Sequence, residues 1–149
     1  MNLSDFCHRD IATIDRDSGV VHAALQMREQ HVGSLIIVDR DGEDLRPVGI
    51  LTDRDLAIEA LTSTTTAQQL HVSDIMSDCP ATALVDDDAL ATLHRMRTLG
   101  IRRMPIVDHR GSLKGIIAVD DLLQLLAASL GDVAALIVRE AGREVVCRS

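Results

Sequence analysis

His31-Val-Gly-Ser-Leu-Ile-Ile-Val-Asp39 returns further along the chain as Gly100-Ile-Arg-Arg-Met-Pro-Ile-Val-Asp108. The offset, 69 residues from Asp39 to Asp108, also carries Leu3-Ser4-Asp5 onto Val72-Ser73-Asp74, Thr13 onto Thr82 and Met27-Arg28 onto Met96-Arg97. Beyond the second strand it falls to 66, from Gly49-Ile50 to Gly115-Ile116. The first copy therefore holds three extra residues in a loop within 40–48. A register kept on both sides of one loop marks a duplication, and the fold follows from the duplicated unit.

Each copy reads the same way. A β-prone segment, Ile11–Ile14 or Ala81–Val85, leads into an acidic turn, Asp15–Gly19 or Asp86–Asp88, that favours a helix start. The helix follows with one apolar stripe: Val20, Val21, Ala24, Leu25 and Met27 in the first copy, Leu90, Leu93 and Met96 in the second. Leu35–Val38 and Met104–Val107 are continuous apolar runs of the kind found in buried strands. Arg40-Asp41-Gly42 and His109-Arg110-Gly111 read as hairpin turns with Gly at positive φ. Strands over Val48–Leu51 and Leu113–Val119 and helices over Asp53–Leu61 and Asp120–Leu130 complete a β-α-β-β-α order in each copy. Met27, Met96 and Met104 read as core filler. The chain divides into a first motif, 1–61, a hydroxyl-rich linker, 62–71, a second motif, 72–130, and a C-terminal helix and tail, 131–149. Gly131-Asp132 is expected to end one helix and cap the next. Val133, Leu136 and Ile137 then form a stripe without a partner in the repeat, and Arg139–Ser149 is expected to fray.

Composition narrows the function. Of 149 residues, 46% are hydrophobic, but aromatics make up only 1%, so branched aliphatics and Met must fill the core. A single Phe offers no stacking platform for nucleic-acid bases, and a net charge of −8 repels phosphate backbones. No nucleic-acid partner is expected. No membrane is expected either, because Leu35–Val38 and Leu122–Leu130 read as short or interrupted runs, and the N-terminus lacks the pattern of a signal peptide. Three widely spaced cysteines, Cys7, Cys79 and Cys147, read as free thiols of a cytoplasmic protein, with no metal-ligand spacing. There is no Ser/His/Asp or Cys/His constellation and no phosphate-binding Walker loop, so no enzyme is expected.

The stretch Gly49-Ile50-Leu51-Thr52-Asp53-Arg54-Asp55 joins a strand to a helix. Thr52 suits the cap, and Asp53 and Asp55 suit the positive end of the helix dipole. Taken alone, it is a capped turn. Its counterpart, Gly115-Ile-Ile-Ala-Val-Asp-Asp121, keeps the Gly and the last Asp but replaces the hydroxyl with Ala118.

A β-α-β-β-α unit present twice, with Ser-Asp-x-(Met/Cys), Met-Arg, Val-Asp and Gly-Ile…Asp-Leu signatures in matching order from Leu3 to Leu126, resembles a pair of cystathionine-β-synthase (CBS) motifs, or Bateman module. The resemblance implies an α/β (α+β) fold in which two CBS motifs pack sheet to sheet about a pseudo-twofold axis. It implies a stand-alone regulatory sensor whose two clefts bind an adenosine nucleotide: AMP, ADP or ATP, or else S-adenosylmethionine or NAD. No cofactor is required. A homodimer is implied, together with an effector protein still to be identified. The alternative is a ligand-free protein-interaction or dimerisation module. The family's Gly-h-x-Thr/Ser-x-x-Asp segment, whose h is an apolar residue, supplies ribose contacts, here from Gly49, Thr52, Asp53, Arg54 and Asp55, and from Asp121 in the second copy. Asp55 can accept from both hydroxyls of a ribose diol, and Arg54 can pair with phosphate. Arg102, Arg103, Met104 and Pro105 match the family's basic-basic-apolar-Pro strand entry, which faces phosphate. Pro105 would leave a strand edge for adenine. Asp10 and Ile11, like Cys79-Pro80-Ala81, would border the base.

Overall fold

The computed structural model describes residues 2–5, 7–78 and 81–148, with side chains as far as 143. In the first repeat, β1 (Thr13–Asp15) runs parallel to β2 (Ser34–Asp41), which pairs antiparallel with β3 (Asp44–Thr52). Helices α1 (Val20–Gln30) and α2 (Asp53–Thr62) cover the sheet. The second repeat copies this with β5 (Ala83–Leu84), α4 (Ala89–Leu99), β6 (Arg103–Val107) and β7 (Leu113–Ala118). Both hairpins carry a register shift at the same place, Ile37/Val38 and Ile106/Val107. Gly42 and Gly111 take positive φ, +64° and +81°, as the hairpin turns require. The three extra residues of the first copy are a longer hairpin rather than a longer loop, because β2 and β3 pair out to Asp41 and Asp44.

Alternation along the strands gives each repeat its own core. In β2, Leu35 and Ile37 are buried with Ile14, Ala23, Met27 and Leu51, while Ile36 and Val38 are buried on the opposite face. In the second repeat, Met96 and Met104 are buried with Ala83, Ala89, Ile106 and Ile117. The sheets meet through β3 and β7. Asp44 ties the hairpin ends together, accepting from Ser112 Oγ at 3.2 Å and Arg110 Nη2 at 3.1 Å. The arrangement is the predicted α+β pair of β-α-β-β-α units.

The leading segments of the two repeats are exchanged. Leu3, in a 3₁₀ turn over Leu3–Asp5, is fully buried in the second core, and Val72, at the start of α3 (Val72–Ile75), is fully buried in the first. The backbone bonds obey the same exchange. Leu3 N donates to Asp87 O and Ser4 N to Val85 O; Val72 N donates to Ser18 O and Ser73 N to Arg16 O. Past these turns, β4 (Ser77–Asp78) joins β3 as the fourth strand of the first sheet, and His8 bridges Ile116 of the second. The sequence equivalence of Leu3 and Val72 is genuine, but each serves the other unit.

The C-terminus departs from expectation. Gly131 and Asp132 do not break the chain; α5 is one helix from Val119 to Arg148, and the segment expected to fray continues it. A Gly inside a helix costs about 1 kcal/mol, which flanking Leu and Ala residues, all good helix formers, offset. Joined, the two halves make a stretch, Val119–Arg143, long and apolar enough to cross a membrane by length and composition, whereas the sequence reading saw only interrupted runs.

Two tests follow from this architecture. Leu3→Ala is expected to cost about 2–5 kcal/mol in urea unfolding, as for a fully buried Leu, with a single transition for both repeats. Two separate transitions would show that the exchanged segments do not join the cores. At the start of α4, Asp88 Oδ2 accepts from Leu90 N and Ala91 N, both at 3.1 Å, and the Ala91 bond leads in holding its carboxyl below the ordinary carboxylate range. The stability from that cap is therefore present above about pH 4 and lost as pH falls through the lowered folded value. Asp88→Ala should lower Tm at pH 7, and the difference from wild type should close in acid.

Candidate functional site

Two clefts between the repeats answer each other, and each draws on both. The first, about 470 Å³, is lined by Ile50, Thr52, Ser77, Asp78, Ala81, Leu99, Ile101, Arg102 and Arg103. The second, about 350 Å³, includes His8, Asp10, Ile11, Ala12, Gly33, Ser34, Arg103, Ala118, Asp120 and Asp121. Applying the repeat offsets to one lining largely reproduces the other: Thr52 answers Ala118, Ser77 answers His8, Ala81 answers Ala12, and Arg102-Arg103 answers Gly33-Ser34. Both volumes fall within the range of small-molecule sites.

The fold explains the pairing. Thr52 caps α2, accepting from Asp55 N at 3.2 Å, while Asp55 Oδ2 accepts from Thr52 N at 2.9 Å. This reciprocal box fixes the hydroxyl at the end of β3, on the edge where β4 delivers Ser77 and Asp78. The entry of β6 supplies Arg102 and Arg103 from the other side. Thr52, expected at the ribose, and the two arginines, expected at the phosphate, therefore share one cleft. Asp10, Ile11 and Asp121 share the other, with Arg103 reaching both.

Several expected residues sit elsewhere. Met104 is fully buried in the second core and lines neither cleft. Pro105 is buried in the middle strand of its sheet, so it makes no strand edge. Its missing N–H acts one strand away. In the first repeat, Ile36 N donates to Ala12 O at 3.0 Å; the equivalent residues are Pro105 and Ala81, so the Ala81 carbonyl, on the lining of the first cleft, gets no such donor. Gly49 serves the exchange. A Cβ there would lie 2.8 Å from both Met76 Sδ and Ser77 O, and one at Gly115 would lie 2.8 Å from Cys7 Sγ. Asp53 turns toward Gly33, and its Oδ1 accepts from Arg54 N at 2.8 Å. Arg54 is exposed on α2 outside the lining, and Asp55 stands behind Thr52. Cys79 and Pro80 lie outside the described residues.

The clefts differ in charge. The first sets Arg102 and Arg103 against Asp78 alone. The second gathers Asp10, Asp120 and Asp121 around Arg103, with His8 and His31 at its rim. Asp121 is engaged at both oxygens, with His8 Nε2 at 2.8 Å and Ala118 N at 2.9 Å. Among the described residues, Asp55 Oδ1 accepts no hydrogen bond. Ala81 was expected beside the base, whereas Ser77, Asp78 and His8 were not identified as site residues from the sequence. Their signal was present in the offset, since Ser77 matches His8, but only the exchange of leading segments brings them to the clefts. Among the described residues, no group of three or more His, Cys, Asp or Glu could hold a metal ion.

The CBS domain model matches residues 3–61 and 72–128, which take in both repeats and most of the chain. The chain belongs to the CBS domain family. An uncharacterised protein of Methanopyrus kandleri, MK0525, is 34% identical over 125 residues; the match takes in 84% of this chain but only 62% of that protein's length. The CBS domain pair of protein MJ0100, solved with 5′-methylthioadenosine and S-adenosylmethionine, aligns with a TM-score of 0.74 at 23% identity over 87% of this chain and 98% of its own. The CBS domain protein PAE2072 of Pyrobaculum aerophilum, solved with AMP, aligns with a TM-score of 0.72 at 22% identity over 85% of this chain and 99% of its own. At these identities the structural likeness speaks for the CBS pair fold.

Gly49 provides a test that needs no ligand. Gly49→Ala is expected to cost about 1–3 kcal/mol in urea unfolding, because β3 must move off Ser77. An unchanged midpoint would return Gly49 to the list of residues that act only on a bound molecule.

Proposed function

We propose that this CBS pair is a non-catalytic cytoplasmic sensor whose first cleft binds a phosphorylated adenosine, AMP, ADP or ATP, and that it works as a homodimer read by an effector protein. The observation that carries this reading is the meeting of Thr52 with Arg102 and Arg103 in one cleft of a chain whose net charge is −8. Two guanidiniums from one repeat face a hydroxyl at a helix N-terminus from the other. That donor set suits a phosphate, since Arg offers a planar fork and the helix start offers N–H groups. The Ala81 carbonyl, without the donor that Ala12 has, suits an exocyclic amine such as that of adenine. Complexes of the two structural neighbours with AMP and with adenosine-sulfur compounds support the ligand class. In the second cleft, three carboxylates disfavour phosphate, and a ribose diol seeking Asp121 must displace His8.

Calorimetric titration with AMP, ADP, ATP, S-adenosylmethionine and NAD tests the reading. Arg103→Ala should weaken AMP about 10–100-fold, the scale of a lost charge-assisted bond, and adenosine much less. Arg103 is the better probe, because Asp55→Ala would also remove the cap of α2. Absence of binding by any of the five at millimolar concentration would sink the proposal, as would equal affinities for wild type and Arg103→Ala.

A further inference from the structure

The last helix leaves the body of the protein. From Leu126 to Arg143 every residue of α5 is exposed, a rod about 27 Å long at 1.5 Å per residue. Its large side chains are not spread evenly. Val119, Leu123, Leu126, Leu130, Val133 and Ile137 recur at alternating steps of four and three, the a/d spacing of a helix seam. Leu123 is 59% exposed, Leu130 70%, Val133 55% and Ile137 63%. Away from the seam, Ala127, Ala128, Ser129, Gly131, Asp132, Ala134 and Ala135 are small or polar, and Leu136 and Val138 are the large apolar residues off it between Leu126 and Arg143. Lipid would meet such a rod on every side, whereas a narrow stripe of branched residues flanked by Ala and Gly fits one neighbouring helix.

We propose that α5 pairs antiparallel with α5 of a second copy of this chain. Charge fixes the direction. The root of α5 carries Asp120 and Asp121, and its far end carries Arg139 and Arg143 with Glu140 between them, a net positive charge. Antiparallel pairing sets each acidic root against the partner's basic end and opposes the helix dipoles; parallel pairing stacks carboxylate on carboxylate. The spacing agrees in register. With Leu126 against the partner's Leu130, Leu123 meets the partner's Val133, and Val119, half-buried against its own core, lies opposite the partner's Ile137. The exposed seam offers on the order of 500 Å² per chain, a small interface beside the ~800 Å² per partner of a standard one. The inference rests on the homodimer proposed above and names its surface.

Sedimentation equilibrium of the full chain tests it. The expected result is a dimer at micromolar concentration, weakened at least 100-fold by Leu130→Glu and unchanged by Leu61→Glu, an exposed apolar control on α2. A wild-type monomer would overturn both the homodimer and this surface. A dimer indifferent to Leu130→Glu would overturn the surface alone, and nucleotide titration would stand apart from either result. Spin labels at residue 142, with Cys7, Cys79 and Cys147 replaced by Ser, should lie about 40 Å apart in the antiparallel pair; a distance below about 20 Å would overturn the direction. Flotation of the wild-type chain with phosphatidylcholine–phosphatidylglycerol vesicles, lost in Leu130→Glu, would overturn the proposal in favour of lipid.

Discussion

Leu3 and Val72 each fill a core built by the other repeat, and the rest of the molecule depends on that exchange. A single unit of this kind has a three-stranded sheet with one face covered by its helices. The exchange gives each sheet an extra chain segment along β3 or β7 and places the second leading segment where the other repeat must follow it. Gly49 and Gly115 are the steric condition for this, since a side chain at either would strike the incoming backbone or Cys7. The two halves cannot separate without emptying a buried position in each core, so cooperativity between them is a property of the chain path rather than of a large flat interface.

The clefts are the by-product of the same path. Because leading segments cross, every cleft takes its helix start from one repeat and its strand entry from the other. Two gene copies that drift independently therefore produce clefts that differ in both halves. Ala118, which lacks the hydroxyl, and Arg102, which adds a guanidinium, belong to the same repeat, yet they fall on opposite clefts, with Arg103 reaching both. The result is one cleft with the Thr52 hydroxyl, two guanidiniums and one carboxylate and another with three carboxylates around one guanidinium, a division of charge that two identical copies would lack.

Much of this was legible in the sequence, and what was not has a definite cause. The repeat, the hairpin glycines, the buried methionines and the Thr52 cap all depend on interactions local in sequence or on apolar periodicity, which the residues display directly. The exchange depends on which of two equivalent cores a leading segment enters, and the offset is the same either way. Pro105 misled for a related reason. Its missing N–H was read at its own position, but a strand's hydrogen bonds belong to its neighbours, and the consequence appears at Ala81. Gly131 misled because a helix stop was inferred from one residue, while flanking leucines and alanines over two turns on each side decide the matter.

The second cleft and the free helix share a root. Asp120 and Asp121 lie in the first turn of α5, and Asp121 also holds His8 and the end of β7. Thirty residues at 1.5 Å per residue make a lever of about 45 Å, so a tilt of roughly 5° at the root moves the tip by about 4 Å. That is comparable to the width of one side-chain layer in a helix seam. A molecule that takes Asp121 from His8 changes the bonds at the fulcrum, whereas one bound only to Thr52 and the arginines acts on α2 and β6, away from it. Any signal would still require the bound molecule to favour one tilt over another. The two clefts thus differ in position as well as in charge: the basic one lies between the start of α2 and the entry of β6, and the acidic one lies at the root of α5, the long element that leaves the body among the described residues.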